Sequence, residues 1–321
     1  MRTGRLIPSL LALTASAAIL GLGVRPVRAE TIGVAINRVA DFQFSFSSGS
    51  GLFTISGAES DTAASFNGAG PVPSIVTCPL ACDGPQSTAG PGPFPPGNTF
   101  TQPPPGLVGS RGDSQVISTD PNGPNGGQAA VVGQSHLTTP GAGTGQGLTE
   151  IHYVLTVGQT SAMTFSFVAD PFQEAAKGPA GDFASAVLVT QVNLALCSTT
   201  ACATPGTTIF GFAPDGTANN TFGLVSETDP FSLNSVLNAQ PGLDTVIDHA
   251  SATFGGTSVS LAPGTYALDF FSNAVVRTNQ AQAAVPEASA LVLLASGLVG
   301  LGIAGWKCRR PRPSHDTRGA R

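Results

Sequence analysis

Charge is scarce in this chain. Only 10% of its 321 residues are Asp, Glu, Lys or Arg, against about a quarter in an ordinary soluble protein. Basic residues are scarcer still in the middle. From Glu30 to Glu287 only Arg38, Arg111, Lys177 and Arg277 stand against 18 acidic residues. A long acidic body repels phosphate backbones, which excludes nucleic acid as a partner. Aromatics other than Phe are also few, with 1 Trp and 2 Tyr beside 18 Phe. The body therefore offers only Tyr153 and Tyr266 for the ring stacking on which sugar recognition usually draws. The apolar share, 41%, is nevertheless enough to bury a core, so the chain as a whole is not a disordered polymer.

The remaining basic residues sit at the two ends. At the front, Arg2 and Arg5 precede an apolar run from Leu6 to Val24, followed by Val27-Arg28-Ala29. This is the layout of a secretory signal peptide, residues 1–29, with cleavage predicted between Ala29 and Glu30. A retained N-terminal anchor helix is the other reading of the same run. At the back, Ala288 to Trp306 carries no charge. About 19 residues span about 28 Å as a helix, one bilayer core. Ser296, Gly300 and Ala304 recur at the small-xxx-small spacing of close helix packing. Trp306 suits a membrane interface, and Lys307, Arg309 and Arg310 place the tail on the cytoplasmic side.

The segment 285–321 resembles the PEP-CTERM sorting signal of exported proteins in Gram-negative bacteria. That signal has a short Val-Pro-Glu-Pro tag, one spanning helix and a terminal Arg cluster. The tag here is Val285-Pro286-Glu287-Ala288, with Ala288 at the usual Pro position. The resemblance implies export by the Sec machinery, a transient inner-membrane tether, processing by an exosortase-type enzyme, and a cell-surface or extracellular destination. It also implies association with exopolysaccharide. An ordinary uncut anchor is the alternative. The phrase FSFVADPF, Phe165–Phe172, is similar to stretches of exosortase-dependent surface proteins and carries over no catalytic residue.

The exported body, 30–284, shows little helical periodicity. Short runs alternate apolar and polar residues and stop at Gly, Pro, Asn or Asp. Phe42, Phe44 and Phe46 share one face, and Leu52–Ser56, after Gly-Ser-Gly, reads as a hairpin partner. Further strands are predicted at 151–157, 163–168, 184–196, 251–254, 258–261 and 265–271, the last two joined by Ala262-Pro263-Gly264. The expected fold is all-β, an antiparallel β-sandwich of jelly-roll type. Residues 71–127, with PGPFPPG, QPPPG and PNGPNGG, read as a long exposed loop or linker, because proline breaks strand ladders.

Five Cys are present. In an oxidising compartment Cys78 pairs with Cys82 and Cys197 with Cys202; cross-pairing, or one all-cysteine zinc site, are the alternatives. Cys308 lies beyond the predicted membrane helix. Other motifs yield no catalytic residue, no metal ligand and no cofactor. His136, His152, His249 and His315 accompany no G-x-S-x-G elbow. Glu150, Asp170 and Glu174 are candidate glycosidase carboxylates or solvated turn residues. Asp120–Gly123 and Asp215–Asn219 are oxygen-rich turns that lack the twelve-residue calcium loop. Arg111-Gly112-Asp113 spells an adhesion tripeptide, expected in the exposed loop, and Asn219-Asn220-Thr221 is a glycosylation sequon. The reading that results is a non-catalytic, structural or adhesive surface protein. A carbohydrate-binding sandwich, or a secreted hydrolase, are the competing classes.

Overall fold

The computed structural model describes residues 30–282, apart from 49–50, 71–72, 80, 83, 105, 124, 179–180, 200–201 and 203–204. The signal peptide before Glu30 and the sorting signal 285–321 lie outside the described residues. Among the described residues no helix is long and apolar enough to cross a membrane.

Two antiparallel sheets face one another. The first is built on β1 (Thr31–Phe46), β6 (Gly127–Leu137) and β8 (Met163–Ala176). It continues outward through β5 (Val108–Ser118) and β4 (Gln86–Gly92) on one side. On the other side lie β13 (Asp244–Asp248), β14 (Ala252–Ser258) and β11 (Leu224–Thr228). The second is built on β15 (Gly264–Gln280), flanked by β7 (Gly141–Val157) and β9 (Phe183–Cys197). Beyond these come β2 (Gly51–Phe66) and β3 (Ser74–Cys78) at one edge, and β10 (Pro205–Phe212) and β12 (Ser235–Asn238) at the other. The alternation visible in the sequence is realised over the whole of β7, whose burial switches at nearly every residue.

The expected hairpins are not formed. β1 pairs with β6 and β8, whereas β2 pairs with β7 and β3 in the opposite sheet. The chain therefore changes sheet between Phe46 and Gly51. Both strands bear large apolar residues that seek one interior, and crossing lets Phe44 meet Phe53 edge-on, with centroids 5.3 Å apart. The Ala262-Pro263-Gly264 segment crosses in the same way, from β14 to β15.

The prediction of a loop over 71–127 is also corrected. β3, β4 and β5 lie inside it, and β5 is hydrogen-bonded on both sides, to β4 and β6. The prolines are segregated: β3 and β5 contain none, and Pro91 stands on the edge strand β4. The segment 93–107 lies across the outer face of the first sheet. Phe100 fills an apolar cluster there with Ile32, Val34, Ile36, Val132 and Phe172.

The interior has two unlike halves. One is a phenylalanine cluster that includes Phe42, Phe165, Phe167, Phe212, Phe254 and Phe270. A bulge in β1 brings Phe42 into phase with it. Asp41 takes a positive φ of 54°, and the register slips between Val39 and Phe42, so odd positions face inward before the bulge and even ones after it. In the other half the sheets approach so closely that glycine is required. A Cβ at Gly112, Gly133, Gly145 or Gly147 would lie closer than 3.0 Å to backbone oxygen of the facing sheet. Short polar side chains bridge the same gap. Ser60 meets Ser114 at 2.7 Å, Ser135 meets Thr278 at 2.6 Å, and the Asn37 amide donates to Thr190 Oγ1 at 2.9 Å.

Gly147→Val is expected to lower the unfolding free energy by ~3 kcal/mol or to prevent folding, because two backbones would have to part. Gly57→Ala, whose new Cβ meets nothing nearer than Cys78 O at 4.0 Å, should stay within ~0.5 kcal/mol of the parent. Urea titration of both variants checks the pair.

Candidate functional site

The outer face of the second sheet carries a titratable cluster. His152 on β7 stands directly opposite Asp269 on β15, and Glu150 on β7 stands opposite Glu59 on β2. The His152 Nδ1–Asp269 Oδ1 distance is 2.8 Å, and His152 Nε2 lies 3.9 Å from Glu150 Oε1. The hydrogen bond that the ring donates to Asp269 holds the imidazole pKa above its usual value, against the opposing effect of burial, with Glu150 adding to the rise. Burial pushes the Glu150 carboxyl up, only partly offset by His152. The cluster opens into a depression of about 380 Å³, also lined by Ser56, Val154, Ala267 and Cys202. The Ser56 hydroxyl donates to the backbone carbonyl of His152 at 3.1 Å.

Asp269 and Glu59 escaped the sequence reading. Asp269 is a lone acid 117 residues from the imidazole it meets, and Glu59 has only Asp61 near it in sequence. The usable signal was their spacing on alternating strands, but register alone decides which alternating positions become neighbours.

The other sequence candidates are dispersed. Glu150 is on the second sheet, whereas Asp170 and Glu174 are on the first, where Asp170 pairs with Arg38 at 3.1 Å. They do not form a glycosidase pair. His136 Nε2 lies 3.5 Å from Glu30, and His249 stacks on Phe231 with centroids 4.1 Å apart. The Asp120 turn is closed by the Asn122 N–H donating to Asp120 Oδ1 at 2.9 Å. It borders a second cleft with Gln43, Ser45, Thr164 and Ser166 on the first sheet. In the Asp215 turn, Asn220 donates to the carboxylate and holds its pKa low. Asp229 there accepts the N–H groups of Asp215 and Gly216, and burial pushes its carboxyl up. Among the described residues, no group of three or more His, Cys, Asp and Glu could hold a metal ion.

The cysteines pair locally. Cys78–Cys82 and Cys197–Cys202 are disulfides with Cα–Cα distances of 5.8 and 5.0 Å, inside the usual range of about 4.4–6.8 Å. Cross-pairing and an all-cysteine zinc site give way to this arrangement. Each bridge ties a strand end, Cys78 of β3 or Cys197 of β9, to the loop that follows.

The adhesion tripeptide is not displayed. Arg111 and Asp113 lie on β5, and both are 0% exposed. Arg111 bridges Asp113 Oδ2 at 2.7 Å, Gln134 Oε1 at 3.4 Å and the Thr99 carbonyl. The Thr99 N–H donates to Asp113 Oδ2 at 3.4 Å. The pair thus latches the 93–107 segment to the sheet. Gly112 between them faces the opposite sheet at a point with no room for a side chain.

Removing one partner of this buried pair leaves the other uncompensated, so Asp113→Ala should cost ~3–5 kcal/mol of stability. Urea unfolding measures it. At the His152 cluster the sign runs the other way from a carboxylate. A raised imidazole pKa stabilises the fold fully below ~6.5, its ordinary value. That contribution is lost as pH rises through the higher folded value. The urea midpoint of the parent should fall with rising pH in this window relative to His152→Gln, measured side by side. No protein-family model, curated protein or solved structure matches this chain.

Proposed function

We propose that the chain is an exported, non-catalytic protein of the bacterial cell surface or extracellular matrix, structural or adhesive in role and associated with exopolysaccharide. The observation that carries this reading is the pair of short-range disulfides. Such bonds form and persist outside the cytoplasm. They agree with the secretory layout at residues 1–29 and with the tag, apolar run and basic cluster at 285–321. In this reading the Sec machinery exports the body, the segment after Ala288 tethers it to the inner membrane, and an exosortase-type enzyme processes it at the PEP-CTERM signal.

Among the described residues, the arrangement at the His152–Asp269 pair, 2.8 Å apart, supports the non-catalytic reading. The Ser56 hydroxyl beside it is directed to a backbone carbonyl, not to the ring. We read the connectivity as jelly-roll-like in that the chain passes from one sheet to the other at β1–β2, β6–β7, β7–β8 and β8–β9. A second reading, a carbohydrate-binding sandwich, is favoured by the two polar depressions on the outer sheet faces.

In a Gram-negative host with an exosortase, the released protein should begin at Glu30. Pro286→Ala combined with Glu287→Ala should leave a longer, membrane-bound form. N-terminal sequencing and fractionation read both outcomes. A chain that still starts at Met1, or a double variant processed like the parent, overturns the sorting assignment.

A further inference from the structure

The two Tyr of the body do not serve as sugar platforms. Tyr153 and Tyr266 are 1% and 2% exposed, and the Tyr153 hydroxyl donates to the Thr119 carbonyl inside the sandwich. Phe271 takes a different position. Its neighbours Phe270 and Ser272 point into the core, so Phe271 stands on the outer face of the second sheet, half-buried. The strand register surrounds it. Glu150 lies opposite on β7 and Gln191 opposite on β9. Asp269 and Asn273 share its face on β15, two residues away on either side. One strand further, Glu59 is the partner of Glu150. Asn193 is the partner of Asp269, which is itself opposite His152.

The result is a ledge of two adjacent rows across neighbouring strands about 4.8 Å apart. One row reads Asn193, Asp269, His152; the next reads Gln191, Phe271, Glu150, Glu59. An aromatic ring lies among three carboxylates, with one imidazole as the only cationic group in the two rows. A ring face with carboxylates beside it attracts an ammonium group both through its quadrupole and through direct charge. The amides of Gln191, Asn193 and Asn273 supply donors and acceptors that suit hydroxyls. Burial has already raised the Glu150 pKa, so its carboxylate gains from a cation.

We propose that this ledge binds the ammonium-bearing ring of a deacetylated amino sugar, within a polymer lying across the strands. The inference rests on the surface-protein reading above and names the polysaccharide class that such a protein would hold. A pyranose matches all three elements at once: an apolar ring face for Phe271, an ammonium for Glu150 and Asp269, and hydroxyls for the amides.

Calorimetric titration of the full chain in mild detergent tests it, with a β-1,4-linked glucosamine hexamer as the probe. The N-acetylated hexamer, cellohexaose and hexalysine are the comparators. Binding to the glucosamine hexamer is expected, at least ~10-fold tighter than to the three comparators, and weakening with salt. Glu150→Gln should weaken it ~10-fold, as loss of a charge-assisted contact does. Phe271→Ala should weaken it ~5-fold. Asp170→Asn, on the opposite sheet, should leave it unchanged. Circular dichroism and the urea midpoint show that each variant is folded. Equal binding to the N-acetylated or neutral hexamer overturns the ammonium assignment. Hexalysine binding as tight as the sugar overturns the amino-sugar assignment. Absence of millimolar binding, or a folded Glu150→Gln that binds like the parent, overturns the site. Any of these, with the protein still exported and processed, defeats this inference and leaves the surface-protein reading standing.

Discussion

The close approach of two β-sheet backbones at Gly112, Gly133, Gly145 and Gly147 is the constraint on which the rest of this structure depends. Sheets of an ordinary sandwich stand about 10 Å apart, with interdigitated side chains between them. Here a single methyl group at any of these positions would meet facing backbone oxygen. Glycine lines the closest contacts, short hydroxyl and amide side chains hydrogen-bond across the gap, and small apolar residues such as Ala35, Val131 and Ala274 fill the space beside them. The interior therefore passes from a phenylalanine-filled half to one of glycine, short polar side chains and a cluster of small aliphatic residues. A short side chain has few rotamers to lose, so the entropy cost of ordering each bridging hydroxyl is small.

The first sheet buries a further apolar cluster on its outer face. Ile32, Val34, Ile36, Val132 and Phe172 are covered there by Phe100 of the proline-rich segment. The Arg111–Asp113 pair is the polar part of the same arrangement, since it holds Thr99 of that segment from β5. A tripeptide that spells adhesion thus acts as a latch. The second sheet differs: its outer face keeps the half-exposed Phe271, His152 and Glu150. The ledge is consequently on the sheet whose central strand, β15, is hydrogen-bonded along both sides. Its side chains are held in register by the most extensively paired part of the molecule.

Much of the fold was legible. Alternation at 42–46, 151–157 and 184–196 marked true strands, because one buried face and one wet face impose period two. Short spacing made Cys78–Cys82 and Cys197–Cys202 the expected pairs, with cross-pairing and a zinc site as alternatives that the structure removed. The hairpin expected after Phe46 failed because Gly-Ser-Gly permits a tight turn without requiring one, and the Phe side chains favoured a crossing. The proline-rich stretch hid β3, β4 and β5 because composition averaged over 71–127 masks short runs with one proline or none. GAGTGQG at 141–147 reads as a flexible linker in isolation. Its glycines alternate, at 141, 143, 145 and 147, and in β7 that is a buried face whose side chains are absent.

By itself the sequence determined the class and the chemistry: an all-β chain, acidic through its body, with two pairs of cysteines each close enough to bridge locally. These properties are local, set by period, composition and short spacing. Only the tertiary structure decided that Arg111-Gly112-Asp113 is buried, that glycine lines a contact between sheets, and that Glu59, Glu150, His152, Asp269 and Phe271 share one ledge. Each of those depends on register between strands far apart in the chain. Register is fixed by the sum of packing over both sheets, and no single segment carries it.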